Sequence, residues 1–178
     1  MANAFTASSA SAIPSSVNSE VTSLVAGVPS GTPNAPGKVL LDQGQVLLSN
    51  LGPDGRTIYA YPTDNGHVCY VMTDLGEGCM QAFLVGEPAT VSGGSAYDPP
   101  QSGPPAELAG FTQDNVTGVQ VVVNGTPHDA VFGNDAWYYR FPDNQTPGTA
   151  ATALIVTLKD GSTVTVPTRM TAPPQPTS

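Results

Sequence analysis

The chain has 178 residues, with 14 Asp or Glu against 5 Lys or Arg, so its formal net charge is −9 at pH 7. Five bases can neutralise few phosphates, and the net negative charge repels nucleic acid, so the composition argues against nucleic-acid binding. Charged residues make up only 11% of the chain, which also contains 19 glycines and 18 prolines. This composition excludes a long helical bundle or a coiled coil.

Residues 1–37 are rich in Ala, Ser and Pro, which predicts a flexible arm of low complexity. Apolar residues within it recur at i, i+4, i+7, i+8 and i+11, and this spacing predicts a short amphipathic helix over residues 16–28. We expect the apolar face of this helix to dock on the folded domain or to bind a protein partner. That face consists of Val17, Val21, Leu24, Val25 and Val28.

The arm contains no Lys or Arg and no apolar run of the length found in a secretory signal. The sequence also has no stretch of about 18 apolar residues, the length that predicts a membrane-spanning helix. We therefore expect that this chain does not insert into a membrane by itself.

From Lys38 onward the apolar pattern changes to period two, and turn signals separate the apolar segments. Pro53-Asp54-Gly55 precedes one strand, and Asn124-Gly125 follows another. The pattern predicts an all-β domain over residues 38–170, an antiparallel β-sandwich, immunoglobulin-like or related, of about eight or nine short strands. Residues 86–106 are expected to form a long surface loop, and the proline-rich tail 171–178 is expected to be disordered.

Thr and Val alternate over residues 162–166, which predicts a strand with one buried face and one solvated face. This strand follows a turn at Lys159-Asp160-Gly161 and ends at Pro167.

Cys69 and Cys79 lie on either side of a turn-forming segment, Asp74-Leu75-Gly76-Glu77-Gly78. Two strands joined in this way form a hairpin, which can bring the two sulfur atoms close enough for a disulfide. The alternative is a pair of buried free thiols that behave as small apolar side chains. The C-x9-C spacing does not match a zinc or redox motif.

Several of these segments together resemble the β-rich C-terminal module of uncharacterised exported or membrane-anchored actinobacterial proteins. The resemblance is carried by Leu51-Gly52-Pro53-Asp54-Gly55-Arg56-Thr57, by the two cysteines, by Val121-Val122-Val123-Asn124-Gly125 and by Asp160-Gly161-Ser162-Thr163-Val164. It spans about residues 43–168 and implies an extracytoplasmic β domain with no catalytic residues to carry over. The absence of a leader departs from that pattern.

Catalytic motifs are scarce. His67 and His128 are the only histidines, and both are expected at exposed loop edges. His128 and Asp129 are neighbours on a predicted strand, so their side chains point to opposite faces and cannot act as a base and its orienting acid. The sequence has no Gly-x-Ser-x-Gly elbow, no phosphate-binding loop and no pair of metal-spaced histidines. We therefore predict no enzymatic activity, no cofactor and no metal site.

The aromatic strand Ala136–Phe141 offers the best binding candidates. Alternation places Trp137, Tyr139 and Phe141 on one face, which we assign to the core. It places Tyr138 and Arg140 on the opposite face, where they form a candidate platform for a glycan or another ligand.

These features predict a non-enzymatic structural or interaction module that is carried on a flexible arm. We expect it to bind a protein partner or to assemble with itself. We place it outside the cell or on the cell surface, and the alternative location is a virion or other particle. A lectin-like domain that binds a glycan or another ligand is the alternative function. A hydrolase, the third hypothesis, requires His67 or His128 beside a nucleophile in a cleft.

Overall fold

The computed structural model describes residues 13–29, 31–81, 87–94, 107–142 and 151–168. Within these ranges the chain forms one α-helix, a single 3₁₀ turn at Leu41–Gln43 and three four-stranded antiparallel sheets. The elements are α1 (Ser15–Ala26), β1 (Gln45–Leu51), β2 (Arg56–Pro62), β3 (His67–Met72), β4 (Gly76–Gln81), β5 (Gly93–Gly94), β6 (Glu107–Phe111), β7 (Val116–Val123), β8 (Thr126–Asp129), β9 (Val131–Gly133), β10 (Ala136–Arg140), β11 (Ala151–Leu158) and β12 (Thr163–Pro167).

Sheet one is a meander in which β1, β2, β3 and β4 pair in chain order. Short turns connect its strands, and Asp74 in the β3–β4 turn adopts a left-handed backbone conformation, with φ of 57°. The register places Cys69 directly opposite Cys79, and the two residues form a disulfide. The predicted hairpin and its bridge are therefore both present.

Sheet two has the order β5-β6-β10-β9, and sheet three has the order β12-β11-β7-β8. In sheet two, β10 pairs with β6 over its whole length, from Ala136 opposite Phe111 to Arg140 opposite Glu107. In sheet three, the predicted hairpin turn at Asn124-Gly125 joins β7 to β8, with both residues at positive φ. That conformation matches the right-handed twist of the flanking strands.

Sheet two lies between the other two sheets because both of its faces carry apolar side chains. Ala136 and Tyr138 pack against sheet one in the first core, whereas Trp137 and Tyr139 pack against sheet three in the second core. The alternation along β10 therefore supplies two cores from a single strand. Gly110 of β6 allows close packing here, since a Cβ atom at this position would clash with the Thr90 carbonyl oxygen.

The helix α1 covers the face of sheet one that points away from sheet two. Val17 and Val21 pack against Tyr59, Tyr61 and the disulfide in a third core. Sheet one is thus covered on both faces, and the layers follow the order α1, sheet one, sheet two, sheet three. Sheet three has a face that contributes to none of these cores within the described residues.

An all-β sandwich with a short N-terminal helix is therefore confirmed, but the expected strand number of about eight or nine was too low. The part of the predicted arm that follows the helix also contacts the domain, because Asn65 accepts a hydrogen bond of 2.7 Å from the Gly37 amide and donates one of 3.0 Å to the Ala35 carbonyl oxygen. In the expected surface loop 86–106, Pro88 and Ala89 are buried, and Ala89 pairs with Thr112. Residues 95–106 of that loop and the tail 171–178 lie outside the described residues.

The disulfide should stabilise the hairpin mainly by restricting the unfolded chain. We expect the double substitution Cys69→Ala/Cys79→Ala to lower the free energy of unfolding by about 2–3 kcal/mol, the value for a short closed loop. Urea unfolding with and without a reductant measures this effect. A reductant should destabilise the wild type and leave the double variant unchanged. Equal sensitivity of the two proteins would contradict the prediction.

Candidate interaction surface

A buried carboxylate, that of Glu107, joins sheets one and two. Glu107 at the start of β6 lies 2.7 Å from Arg56 at the start of β2, measured from Oε2 to Nε. The Tyr138 hydroxyl donates a hydrogen bond of 2.7 Å to the other carboxylate oxygen of Glu107. The contact between Arg56 and Glu107 is an ion pair by distance rather than an aligned hydrogen bond. We call these three residues the inter-sheet cluster.

The guanidinium of Arg56 has further partners on sheet one. It donates a hydrogen bond of 3.2 Å to the Thr73 carbonyl oxygen, and it lies 3.4 Å from the carboxylate of Asp54 and 3.5 Å from that of Asp74. These two carboxylates are exposed, so they add little to stability. The buried carboxylate of Glu107 depends far more on Arg56, because an unpaired charge in this position would be strongly destabilising.

The expectation that Tyr138 lies on an exposed platform is wrong. Its side chain is 3% exposed, because sheet one packs against the face of β10 that was expected to meet solvent. Burial, followed by the hydrogen bond to Glu107, raises the pKa of the Tyr138 phenol. The backbone of Gly52 packs against the Tyr138 hydroxyl, and a Cβ atom at this position would lie 2.6 Å from the hydroxyl oxygen. Gly52 also has a φ of +63°, which favours glycine. Arg140 is partly exposed, and ligand binding by this residue stays a prediction.

The inter-sheet cluster should be a structural element rather than a reactive one. We expect Glu107→Gln to lower the free energy of unfolding by about 3 kcal/mol, because it leaves the Arg56 charge without its buried partner. Tyr138→Phe should lower it by less, about 1.5–2 kcal/mol, because it removes one hydrogen bond to the carboxylate but keeps the ring and the ion pair. Urea unfolding of both variants measures the difference. Equal losses would show that the buried charge pair has no special role.

Both ring nitrogens of His67 face oxygen atoms of asparagine residues. His67 is 7% exposed rather than at an exposed loop edge, because its ring lies between Asn65 Oδ1 and the Asn34 carbonyl oxygen, each 3.0 Å from a ring nitrogen. It thereby attaches the segment before β1 to the β2–β3 turn. His128 is exposed on β8, as expected. The neighbouring Asp129 carboxylate accepts a hydrogen bond of 2.8 Å from Gln120.

The helix face that was offered to a partner is largely occupied by the chain itself. Val21 is fully buried, Val17 is nearly so, and Val25 packs at the margin of the same core. Leu24 and Val28 are partly exposed and lie outside that core, and Val28 follows the end of the helix. The helix was expected either to dock on the folded domain or to bind a partner. In the structure it docks on the domain.

Polar contacts also attach the helix to sheet one. The Tyr61 hydroxyl donates a hydrogen bond of 2.9 Å to Asn18 Oδ1, and burial is the main reason that the pKa of Tyr61 is raised to about 12. Glu20 of α1 faces Glu77 of β4. Burial, followed by the hydrogen bond and the charge of Glu77, raises the pKa of Glu20.

Because α1 covers the disulfide, its docking should protect the sulfur atoms. We expect Val21→Asp to increase the rate of disulfide reduction by about tenfold or more, since a buried carboxylate opposes docking and favours local opening. Thiol trapping during exposure to a fixed concentration of dithiothreitol measures this rate. Ser23→Asp, on the exposed side of the same helix, is the control and should react at the wild-type rate. Equal rates for both variants and the wild type would contradict the protective role.

The outer face of sheet three is an accessible strand surface in the described residues. Its register aligns the side chains in rows, of which the central row is Thr165, Ile155, Gln120 and Asp129. We define the outer face as Gly118, Gln120, Val122, Pro127, Asp129, Ala153, Ile155, Thr157, Thr163, Thr165 and Pro167. All are partly or fully exposed, and Asp129 is the only charged member of the set.

This face is nearly uncharged. Its members are mainly threonine, small apolar residues and proline, and the Asp129 charge is satisfied in part by Gln120. The cores of protein interfaces are depleted of charged residues, whereas a free surface is normally rich in them. In the described part of the chain, no three His, Cys, Asp or Glu side chains form a group that could hold a metal ion.

Comparison with known proteins yields no assignment. No protein-family model matches the chain, and no curated protein is significantly similar to it. Among the residues that the structure covers, no helix is both long enough and apolar enough to cross a membrane.

Proposed function

We propose that the protein is a non-enzymatic interaction module that binds through the outer face of sheet three. The observation that carries this proposal is the contrast between that face and the buried polar groups. Glu107, Tyr138 and His67 are all engaged in contacts that hold the fold together. The outer face is accessible and nearly uncharged, although the chain as a whole carries a net charge of −9.

We further propose that the module works outside the cytoplasm, as a surface or particle component. The disulfide supports this location, because such bonds form and persist in oxidising compartments and are rare in the cytosol. The resemblance to exported β modules points the same way. The lectin-like alternative is less well supported, because Tyr138, which was to form its aromatic platform, is buried between two sheets.

Oxidative footprinting tests the location of the binding face. The protein is labelled with hydroxyl radicals in cells of its source and, separately, after purification and dilution. We expect Ile155, at the centre of the outer face, to be protected in cells and labelled in the dilute protein. Leu41 and Val131, exposed at 42% and 52% and outside the outer face, serve as internal controls and should be labelled equally in both samples.

A variant gives an independent check. Ile155→Arg should abolish the in-cell protection of the neighbouring positions, because a charge in an interface core is costly to desolvate. Leu41→Arg adds the same charge elsewhere and should leave the protection unchanged. Protection confined to other surfaces, or no protection at all, would refute the proposed binding face.

A further inference from the structure

The edges of the three sheets differ in how they are protected from pairing with another chain. Natural sheets block their edges with short strands, charges, proline or register irregularities. Among the described residues, five of the six edge strands carry such features. β5 has two residues, β9 has three, β8 contains Pro127 and Asp129, β1 has two register shifts against β2, and β4 contains Glu77 between two glycines.

β12 is the exception. It has no charged residue, it alternates Thr and Val, and its single proline stands at its last position. Val166 packs at the margin of the second core, and Val164 is partly exposed beside it. This edge therefore combines high strand propensity with apolar surface that another strand would cover.

The hydrogen bonds of β12 to β11 define which backbone groups point outward. The Leu158 amide donates to the Ser162 carbonyl at 2.9 Å, and the Thr168 amide donates to the Thr152 carbonyl at 3.1 Å. Hydrogen-bonded and non-hydrogen-bonded pairs alternate in an antiparallel ladder, so Val164 and Val166 also bond to β11. The backbone groups of Thr163, Thr165 and Pro167 consequently point away from the sheet.

We propose that β12 pairs with β12 of a second copy of this chain, antiparallel and with Thr165 opposite Thr165. In this register the two Thr165 residues exchange two backbone hydrogen bonds. Each Thr163 amide donates to the opposite Pro167 carbonyl, so the missing amide of proline loses only the reciprocal bond. Val164 of each copy lies opposite Val166 of the other on the core side, and sheet three continues across the two-fold axis.

The valines of β12 are placed symmetrically about Thr165, which favours a second copy over an unrelated extended segment. An antiparallel copy places Val164 opposite Val166 of the other chain, and Thr163 opposite Pro167. The antiparallel arrangement also places the two β11–β12 turns, with Lys159 and Asp160, at opposite ends of the contact. The like charges of these two turns are therefore kept apart. The proposal goes beyond the proposed function, because it places a second copy at the edge of the sheet whose outer face the proposed function uses.

Sedimentation equilibrium of the full chain tests the pairing. The weight-average mass of the wild type should rise with concentration toward twice the chain mass. Thr165→Pro should weaken the association at least about 30-fold, the factor that corresponds to the loss of two backbone hydrogen bonds. The outward amide of Thr165 is not used by β11, so the substitution leaves the ladder within the monomer intact. Thr165→Val keeps that amide and should dimerise like the wild type.

Amide hydrogen exchange on the wild type supplies a second readout that needs no variant. The amides of Thr163 and Thr165 should exchange rapidly in dilute solution and become protected as the concentration rises. A monomer with rapidly exchanging Thr165 at all concentrations overturns the proposal. So does a monomer in which Thr165 is always protected, which would indicate that another segment of the same chain occupies the edge.

Two further outcomes separate this inference from the proposed function. A dimer that persists unchanged in Thr165→Pro, once circular dichroism shows that the variant is folded, would place the contact elsewhere and overturn the pairing. A monomer in which Ile155 is nevertheless protected in cells would overturn the self-pairing but retain the outer face as a binding surface for a different partner.

Discussion

The double burial of sheet two is the constraint on which the rest of the structure depends. Successive residues of β10 enter different cores, so neither face of this sheet can be left in water without exposing large aromatic side chains. Sheet one must cover one face and sheet three the other. The same arrangement buries Glu107 at the start of β6. Its carboxylate is tolerated there because Arg56 of β2 and Tyr138 of β10 contact it.

Of the polar groups that first suggest chemistry, Tyr138 and His67 are used in assembly, whereas His128 is exposed and Arg140 is partly exposed. The inter-sheet cluster holds sheet one to sheet two, and His67 holds the segment before β1 to the β2–β3 turn. Such groups are satisfied by contacts within the chain. In the described residues, the accessible end of the stack is the outer face of sheet three, and this is where we propose that the module binds.

Features that depend on neighbouring residues in the chain were predictable from the sequence. The hairpin at Asn124-Gly125, the bridged hairpin and the two-faced character of β12 follow from turn chemistry and period two. The third layer was not predictable, because alternation separates two faces of a strand without showing what covers each. Tyr138 and Arg140 suggested a solvated face, and the partner that buries the Tyr138 hydroxyl is 31 residues away. The exposed edge of β12 likewise depends on strand order.

The stacking of three sheets also limits how this protein can diversify. A substitution in the central strands β6 and β10 of sheet two alters a core whichever way its side chain points, and a substitution at a buried position of sheet one alters either a core or the seat of the helix. The outer face of sheet three offers a continuous set of strand positions where a side chain can change without disturbing these cores. Relatives of this chain that acquire different binding partners should therefore differ chiefly along that sheet, while the middle of the stack keeps its side-chain volumes.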